Sequence, residues 1–315
     1  MNQLFWNAYR RIEKEIISLA EFIHIDDQQL GVYSSKIADL LVRTVVEIEA
    51  ISKKLYFENG GLKADNNDLF FDTDCLKLLE DKWLISKKTI FISSPYFYLS
   101  DKEKYLKPLN KSFKRGSSSS KWQQAYQAVK HNRVKNLEKG NLKNLLNSLG
   151  ALYILNIYLR NTSYELVSDK NASNIDWELG SEIFSVKVSF HKGKAQIGGF
   201  CKEPDYDESI YFVKYTDKSY NDYIDAINKV NKDYQDKILS FAVENINRKI
   251  KTNQIQFDNN GIIDLENILK NEFKTKDMLE KQKEIMLEVS KTNLKMIYTN
   301  LSNLKFEAIL NKQQY

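Results

Sequence analysis

The sequence predicts a mainly helical α+β protein, in which a helical bundle precedes a small antiparallel sheet and long C-terminal helices. Three observations support this fold class. With only 11 Gly and 3 Pro among 315 residues, long regular elements should dominate. Apolar residues recur at the 3.6-residue helical period through most of the first 160 positions. From about residue 162 strict alternation replaces this period, so we expect two domains, 1–161 and 162–315.

Two long amphipathic helices open the predicted bundle. The inner stripe of the first consists of Phe5, Tyr9, Ile12, Ile16, Leu19 and Ile23. After "DDQQLG", Ser34 or Ser35 can cap a second helix, and Gly60 with Gly61 lies beyond its end. The inner stripe of this second helix consists of Leu41, Thr44, Ile48, Ile51 and Leu55. Both spacings are typical of helices with one buried face.

The middle of the bundle is interrupted by extended and polar segments. Asp72 or Thr73 can cap a third helix that runs to about Ile85. The β-branched and aromatic stretch 88–99 contains a proline and is expected to be extended. Residues 110–121, "NKSFKRGSSSSK", form the clearest loop of this half.

Two further helices complete the predicted bundle, 121–139 and 142–160, separated by Gly140. The second contains the most apolar run of the chain, "LGALYILNIYL" at 149–159. This run is too short to cross a bilayer, so it is expected to be a buried core helix.

The C-terminal half is predicted to contain the sheet and the longest helices. Residues 181–190 alternate strictly, and 194–200 and 208–216 are further strand candidates, which together indicate a small antiparallel sheet. Helices are predicted at 220–251 and in two segments of 262–311. Because the heptad pattern of the last segment is weak, we expect it to pack against the sheet and not to form a coiled coil.

Composition excludes several classes of function. Cys75 and Cys201 are far apart and match no zinc or redox spacing, which favours reduced thiols in a cytoplasmic protein. The charged N-terminus matches neither a signal peptide nor a membrane span. Acidic stretches lack the order of calcium-binding loops, and glycine-rich phosphate loops and Ser/His/Asp patterns are missing. We therefore expect no metal site and no cofactor.

Positive charge is concentrated in one segment. Between Asp101 and Leu145 there are twelve Lys/Arg and three Asp/Glu, a balance of +9, although the whole chain carries only +5. This segment is either a surface for a polyanion or a solvated lysine-rich loop. If it binds RNA, the predicted contacts are Lys114, Arg115, Lys121, Lys130 and Lys135.

Within this segment, "YQAVKHNRVKN" (126–136) contains His131, Asn132 and Arg133. A histidine can transfer protons near neutral pH, an arginine can stabilise charge developing on a phosphate, and an asparagine can orient either group. The trio therefore suits metal-free RNA cleavage. On a continuous helix, Arg133 would point inward and need a carboxylate or carbonyl partner. Glu47, four residues after Arg43 on the same edge of the second helix, is the candidate. The alternative is that the trio only joins helices.

Residues 1–160 resemble the HEPN superfamily, the helical bundles of toxin–antitoxin, abortive-infection and CRISPR-linked RNases. The resemblance is carried by "FWNAYRRIEKE", "YSSKIADLLVRTVVEIEAISK" and "WQQAYQAVKHNR". It implies a metal-independent endoribonuclease of bacterial defence, acting as a homodimer with a shared cleft. Active members carry Arg, four to six residues, then His, whereas here His131 precedes Arg133 by two. Either Arg43 contributes from the neighbouring helix, or the branch is inactive and kept for binding.

Three functional hypotheses follow. In the first, His131 is the acid/base, Arg133 the phosphate clamp, Asn132 and Lys130 are supports, and Arg43 with Glu47 orients the site on a tRNA or mRNA. The C-terminal region would then sense a trigger or contact an inhibitor or sensor protein. The second hypothesis is a non-catalytic scaffold, and the third is RNA binding without cleavage.

Three other features have simpler interpretations. Trp122 and Tyr126 can stack on bases, but their helical spacing favours core packing. His24, at the end of the first helix, and His191, at a strand end, are interpreted as structural.

Overall fold

The computed structural model describes residues 2–65, 68–190, 202–255 and 264–314, and it confirms the mainly helical α+β class. The helices are α1 Asn2–Ile17, α2 Ser35–Glu58, α3 Lys77–Trp83, α4 Asp101–Lys104, α5 Lys121–His131, α6 Arg133–Asn136, α7 Leu142–Arg160, α8 Asp217–Lys251, α9 Leu265–Glu272 and α10 Lys276–Ser302. The strands are β1 Ile25–Asp26, β2 Ile90–Ile92, β3 Phe97–Tyr98, β4 Tyr105–Leu106, β5 Tyr164–Val167, β6 Phe184–Val186, β7 Val188–Phe190, β8 Tyr211–Tyr215 and β9 Phe306–Leu310.

The chain divides into two compact units. The first comprises Met1–Lys214 with Glu307–Tyr315, and the second comprises Tyr215–Phe306. The predicted boundary at 161/162 therefore falls inside the first unit. The physical reason is long-range pairing: β6 hydrogen-bonds to β2 of the N-terminal half, which joins the two predicted domains in one sheet.

Helices α1, α2, α5 and α7 pack on one another in the first unit, as the predicted bundle requires. The inner stripe of α2 is buried throughout, and the side chain of Ser34 accepts a hydrogen bond from Ile37 N, so the predicted start of this helix is confirmed. Helix α7 is buried at every position from Ser148 to Leu159. The apolar run is therefore the core helix that was predicted.

The predicted helix 121–139 is broken at Asn132. Helix α5 ends at His131, and the backbone of Asn132 (φ −152°, ψ 83°) leaves the helical region. The Asn132 side chain then caps α6 by accepting a hydrogen bond from Lys135 N at 3.2 Å. This break places Arg133 on a different helix from Trp122, so the helical spacing that predicted an inward Arg133 does not apply.

The third helix also begins differently from the prediction. A single π-helical segment, Phe71–Leu76, leads into α3, so neither Asp72 nor Thr73 occupies the capping position before the first turn. Instead Asp74 accepts a hydrogen bond from Phe70 N at 2.8 Å. The capping side chain lies inside the first turn, which a sequence rule for N-caps does not detect.

The β-structure is mixed and not purely antiparallel. Strands β4, β2 and β6 form an antiparallel sheet in that order. A second sheet has the order β5-β9-β8-β7, in which β7 and β8 are parallel. The alternating stretch 181–190 is split between these two sheets at Lys187. The candidate strand 194–200, with His191 and Cys201, lies outside the described residues.

The second unit is a set of helices packed on one another. Helix α10 packs along α8 around a core of Ile238, Ala242, Met278, Ile285 and Val289. The expectation that this last helix packs against the sheet is therefore wrong, because its apolar side contacts another helix. The last helix was predicted to reach Asn311, but α10 ends at Ser302. The following residues "FEAIL" form β9, which lies between β5 and β8 in the sheet. Within the described ranges, no helix combines the length and the apolar character needed to span a membrane.

Close packing at Gly140 gives a test of the bundle. A Cβ at this position would lie 2.8 Å from Ala38 Cβ and 3.0 Å from Ala38 Cα, a backbone atom of α2. We expect Gly140→Ala to lower the free energy of unfolding by about 1–3 kcal/mol, because α2 and the turn before α7 must separate. Urea unfolding followed by circular dichroism measures this change. Gly31→Ala is the control, since a Cβ there meets nothing within 4 Å, and equal losses in both variants would contradict the packing argument.

Candidate nucleic-acid interface

His131 and Arg133 are both exposed at the break between α5 and α6. The guanidinium of Arg133 forms an ion pair with Asp39 on α2, with Nη1 2.6 Å from Oδ1. In the part of the chain that the structure describes, the imidazole of His131 forms no hydrogen bond or ion pair. The two side chains are thus accessible to a ligand, but none of the cavities described below includes them.

The predicted orienting pair, Arg43 with Glu47, is not formed. Arg43 Nη1 lies 2.7 Å from Glu15 Oε1 on α1, and Lys36 binds the other oxygen of the same carboxylate. Glu47 is half-buried, and this burial raises its pKa, while Arg43 opposes the rise in part. Arg43 therefore joins α1 to α2, and the structure does not bring it together with His131 through a shared partner.

Most cations of the segment 101–145 have no carboxylate partner. Among the described residues, four of its twelve Lys/Arg form salt bridges: Lys107 with Glu208, Arg115 with Asp72, Arg133 with Asp39 and Lys143 with Glu103. The other eight form none within the same described ranges. These eight cations are therefore not neutralised by direct contact with a carboxylate of the described residues.

The five predicted RNA contacts are all exposed. Three of them, Lys114, Arg115 and Lys130, lie over aromatic rings, and Lys114 Nζ is 5.7 Å from the ring centroid of Phe113. The guanidinium of Arg115 is 3.7 Å from the ring centroid of Phe70, and Lys130 Nζ is 5.3 Å from that of Tyr126. The residues form a charged surface that follows the loop before α5 and the length of that helix.

A cleft of about 760 Å³ opens at the start of α5, and we call it the serine-loop cleft because Ser117–Ser120 form one wall. Its cations are Lys107, Lys111, Lys121 and Lys143, and its carboxylates are Asp27 and Glu103. Three of these lysines were not among the predicted RNA contacts: Lys107 and Lys111 lie in loops and Lys143 lies on α7, although all three belong to the basic segment. Charge counting located the segment but not the cavity.

The start of α5 is built by its own side chains. Ser120 and Gln123 form a reciprocal capping box, and Trp122 Nε1 donates to Pro108 O at 2.7 Å. Trp122 and Tyr126 are each 2% exposed, so core packing is confirmed and base stacking on them is excluded. From Lys121 to His131 the helix rises about 15 Å, which separates the cleft from the break.

A smaller cavity of about 400 Å³ adjoins the other side of the serine loop. Arg115, Gly116 and Gln127 line it together with Asp72. It shares Ser119 and Gln124 with the serine-loop cleft. The two cavities are therefore separated only by the loop that begins α5.

The thiol of Cys75 is buried in the core of the first unit. Burial raises the pKa of the Cys75 thiol to about 12, so it is a protonated core residue. Across the ranges for which coordinates are described, no group of three or more His, Cys, Asp or Glu side chains could hold a metal ion.

The chain was also compared with known proteins. No family model, no curated protein and no solved structure matches it. The geometry of the basic segment is therefore the principal basis for a functional conclusion.

Proposed function

We propose that this protein binds single-stranded RNA through the basic segment 101–145. The observation that supports the proposal is the set of eight cations that lack a salt bridge among the described residues, on a segment with a balance of twelve Lys/Arg to three Asp/Glu. A phosphate backbone releases counterions when it meets such a surface, and this release supplies affinity without base recognition. The choice of RNA over another polyanion comes from the HEPN resemblance.

The distribution of the charge favours a bound strand over a solvated loop. Cations line a cleft at one end of α5 and continue to Lys130 and Lys135 near its other end. Polar amides such as Asn110 and Asn144 in the same cleft can accept and donate hydrogen bonds to sugar and base edges.

Salt dependence tests this proposal. We expect a single-stranded RNA oligomer to bind with an affinity that falls linearly with salt on logarithmic axes. Lys114→Ala and Lys135→Ala should each reduce the magnitude of that slope by about 0.7, because each removes one phosphate contact. Fluorescence anisotropy at several salt concentrations measures the slope. Lys170→Ala is the matched control, since Lys170 is exposed but lies outside the segment; an unchanged slope in all three variants would rule out the proposed surface.

A second candidate function is cleavage of the bound RNA at His131 and Arg133, as part of a defence or toxin system. Two observations favour it: both side chains are exposed, and Asn132 caps α6 so that both are held at one break. In such a reaction the 2′-oxygen attacks phosphorus, the bond to the 5′-oxygen breaks, and a 2′,3′-cyclic phosphate forms. The imidazole of His131 would take the proton of the 2′-hydroxyl and give a proton to the departing 5′-oxygen. The guanidinium of Arg133 would stabilise the negative charge on the phosphorane.

The cleavage hypothesis predicts a large effect of two substitutions. In buffer that contains a metal chelator, we expect His131→Ala to slow RNA cleavage by about 10²–10⁴-fold, and Arg133→Ala to slow it comparably. Both variants should remain folded, because exposed substitutions usually change stability by no more than about 0.5 kcal/mol. Lys170→Ala should cleave at the normal rate. If the unaltered protein leaves the RNA intact, or if all variants cleave it equally, the cleavage hypothesis is contradicted and only RNA binding remains.

A homodimer with a shared channel, an inhibitor or sensor partner, and membership of the HEPN superfamily are further proposals that rest on the resemblance alone. If a dimer forms through the first unit, two basic segments would meet in one channel, and RNA affinity would depend on protein concentration.

A further inference from the structure

Two exposed rings are stacked on each other near the serine-loop cleft. The ring centroids of His24 and Tyr98 are 4.6 Å apart, and the ring planes are 19° from parallel. Tyr98 is 62% exposed, and His24 is exposed as well. What distinguishes this pair is that its two rings stack while exposed, so the stack offers open ring faces to a partner.

The backbone holds this pair in place. Strands β1 and β3 are parallel, with Ile25 opposite Phe97 and Asp26 opposite Tyr98. Ile25 and Phe97 are buried in the core, whereas the next residue of β3 points outward because strand side chains alternate. Tyr98 is thus fixed by a buried neighbour, and its stacking on His24 does not depend on a loose loop.

The ring pair is continuous with the cleft. Ser100, two residues after Tyr98, donates its backbone N–H to Asp27 Oδ1 at 2.9 Å, and Asp27 lines the cleft. Two carboxylates follow His24 in the chain, and both accept hydrogen bonds from backbone N–H groups. Asp26 accepts hydrogen bonds from Gln28 N and the following backbone N–H, and the bond from Ser100 lowers the pKa of Asp27.

We propose that His24 and Tyr98 form a base-stacking subsite, next to the cleft that binds the phosphate backbone of single-stranded RNA. This inference rests on the proposed RNA-binding function and names the residues that would contact the bases. Only an unpaired base can extend the ring stack, because a base in a duplex already has both faces covered. Lys111 and Lys121 in the cleft, which form no salt bridge among the described residues, supply the positive charge for the adjoining phosphates.

Stacking and charge can be separated by experiment. We expect Tyr98→Ala and His24→Ala each to weaken binding of a single-stranded RNA oligomer by about tenfold, the size of effect found for base–aromatic stacking. The salt slope should stay unchanged, because neither substitution removes a phosphate contact. Tyr98→Phe should restore binding, since the ring and not the hydroxyl makes the contact. An oligomer with abasic positions should bind the unaltered protein and Tyr98→Ala equally.

The control is Phe57→Ala, an exposed ring at the end of α2 that packs edge-on against Tyr56. It should leave RNA affinity unchanged. If Tyr98→Ala binds the base-containing oligomer as tightly as the unaltered protein does, or if Tyr98→Phe binds as weakly as Tyr98→Ala, the subsite is refuted.

The two proposals can fail separately. If the RNA affinity of the unaltered protein does not fall with salt concentration, the RNA-binding proposal is overturned and the subsite with it. A normal salt slope that depends on Lys114 and Lys135, together with no effect of Tyr98→Ala, would overturn only the subsite. Equal affinity for single-stranded and duplex oligomers of one sequence would overturn the subsite and the preference for a single strand, and would leave only binding of a phosphate backbone.

Discussion

Raising the pH from 7 to 9 is expected to stabilise this protein by about 2 kcal/mol, and Lys88→Met is expected to abolish the rise. Lys88 is fully buried, and its Nζ donates a hydrogen bond to the backbone oxygen of Asp207 at 3.1 Å. Burial lowers the pKa of Lys88 to about 7, with a further decrease from Lys202 that the carboxylates of Asp207 and Glu80 oppose. The amine therefore loses its proton near neutral pH in the folded state.

The free energy of unfolding depends on pH because the folded and unfolded states hold the Lys88 proton with different pKa values. The unfolded chain keeps the Lys88 proton up to a pH near 10.5, whereas the folded protein releases it near 7, so unfolding takes up a proton between these values. The free energy of unfolding must then increase with pH. Above pH 9 other groups oppose this increase in stability. Burial raises the pKa of Cys75 to about 12 and that of Tyr211 well above its ordinary value. These groups lose their protons more easily in the unfolded chain, so they destabilise the folded state at high pH.

Urea unfolding at several values between pH 7 and pH 9 measures this dependence. Lys87→Met is the matched control: Lys87 is exposed and paired with Asp207, and this pairing raises its pKa, so its removal should leave the slope intact. If Lys88→Met shows the same slope as the unaltered protein, the buried amine does not titrate near neutral pH.

Glu13→Ala should lower the free energy of unfolding by about 3–5 kcal/mol. The Glu13 carboxylate is fully buried, and one oxygen accepts hydrogen bonds from Tyr9 Oη at 2.7 Å and from Glu182 N at 3.0 Å. It also accepts from Ser181 Oγ, and Arg10 binds its other oxygen. Removal of the carboxylate leaves the Glu182 N–H without its acceptor, and Tyr9, Ser181 and Arg10 each lose one of their partners.

The same network gives its own control. Glu182→Ala removes the other carboxylate that binds Arg10, but that carboxylate is 49% exposed, so we expect a change within about 1 kcal/mol. Denaturant unfolding of both variants gives the comparison. Similar losses would show that burial of Glu13 is not what makes its contacts important. A loss under 1 kcal/mol in Glu13→Ala would show that the 181–183 turn is held by other contacts.

Local periodicity predicted the helices well where the helix itself buries one face. The stripe of α2, its cap at Ser34 and the full burial of α7 follow from residues within a few positions of one another. Such patterns reflect the 3.6-residue repeat and the geometry of capping, and both are short-range. The same rules did not detect the break at Asn132, because an asparagine can continue a helix or cap the next one.

The candidate site was predicted in part. The sequence located the basic segment, and the structure shows that the cations named in it are exposed. Partners were predicted poorly: Arg43 binds Glu15, and Arg133 binds Asp39. Ion pairs depend on which helix faces join in three dimensions, and no sequence spacing encodes that contact.

The sequence by itself determined the mainly helical class, the ends of α2 and α7 and the position of its positive charge, because these depend on neighbouring residues and on simple sums. Only the tertiary structure decided that β6 joins β2, that β9 lies between β5 and β8, and that His24 stacks on Tyr98 beside a basic cleft. Each of these contacts joins residues far apart in the chain. Their pairing is selected by the burial and hydrogen bonding of the whole fold, to which no local pattern is sensitive.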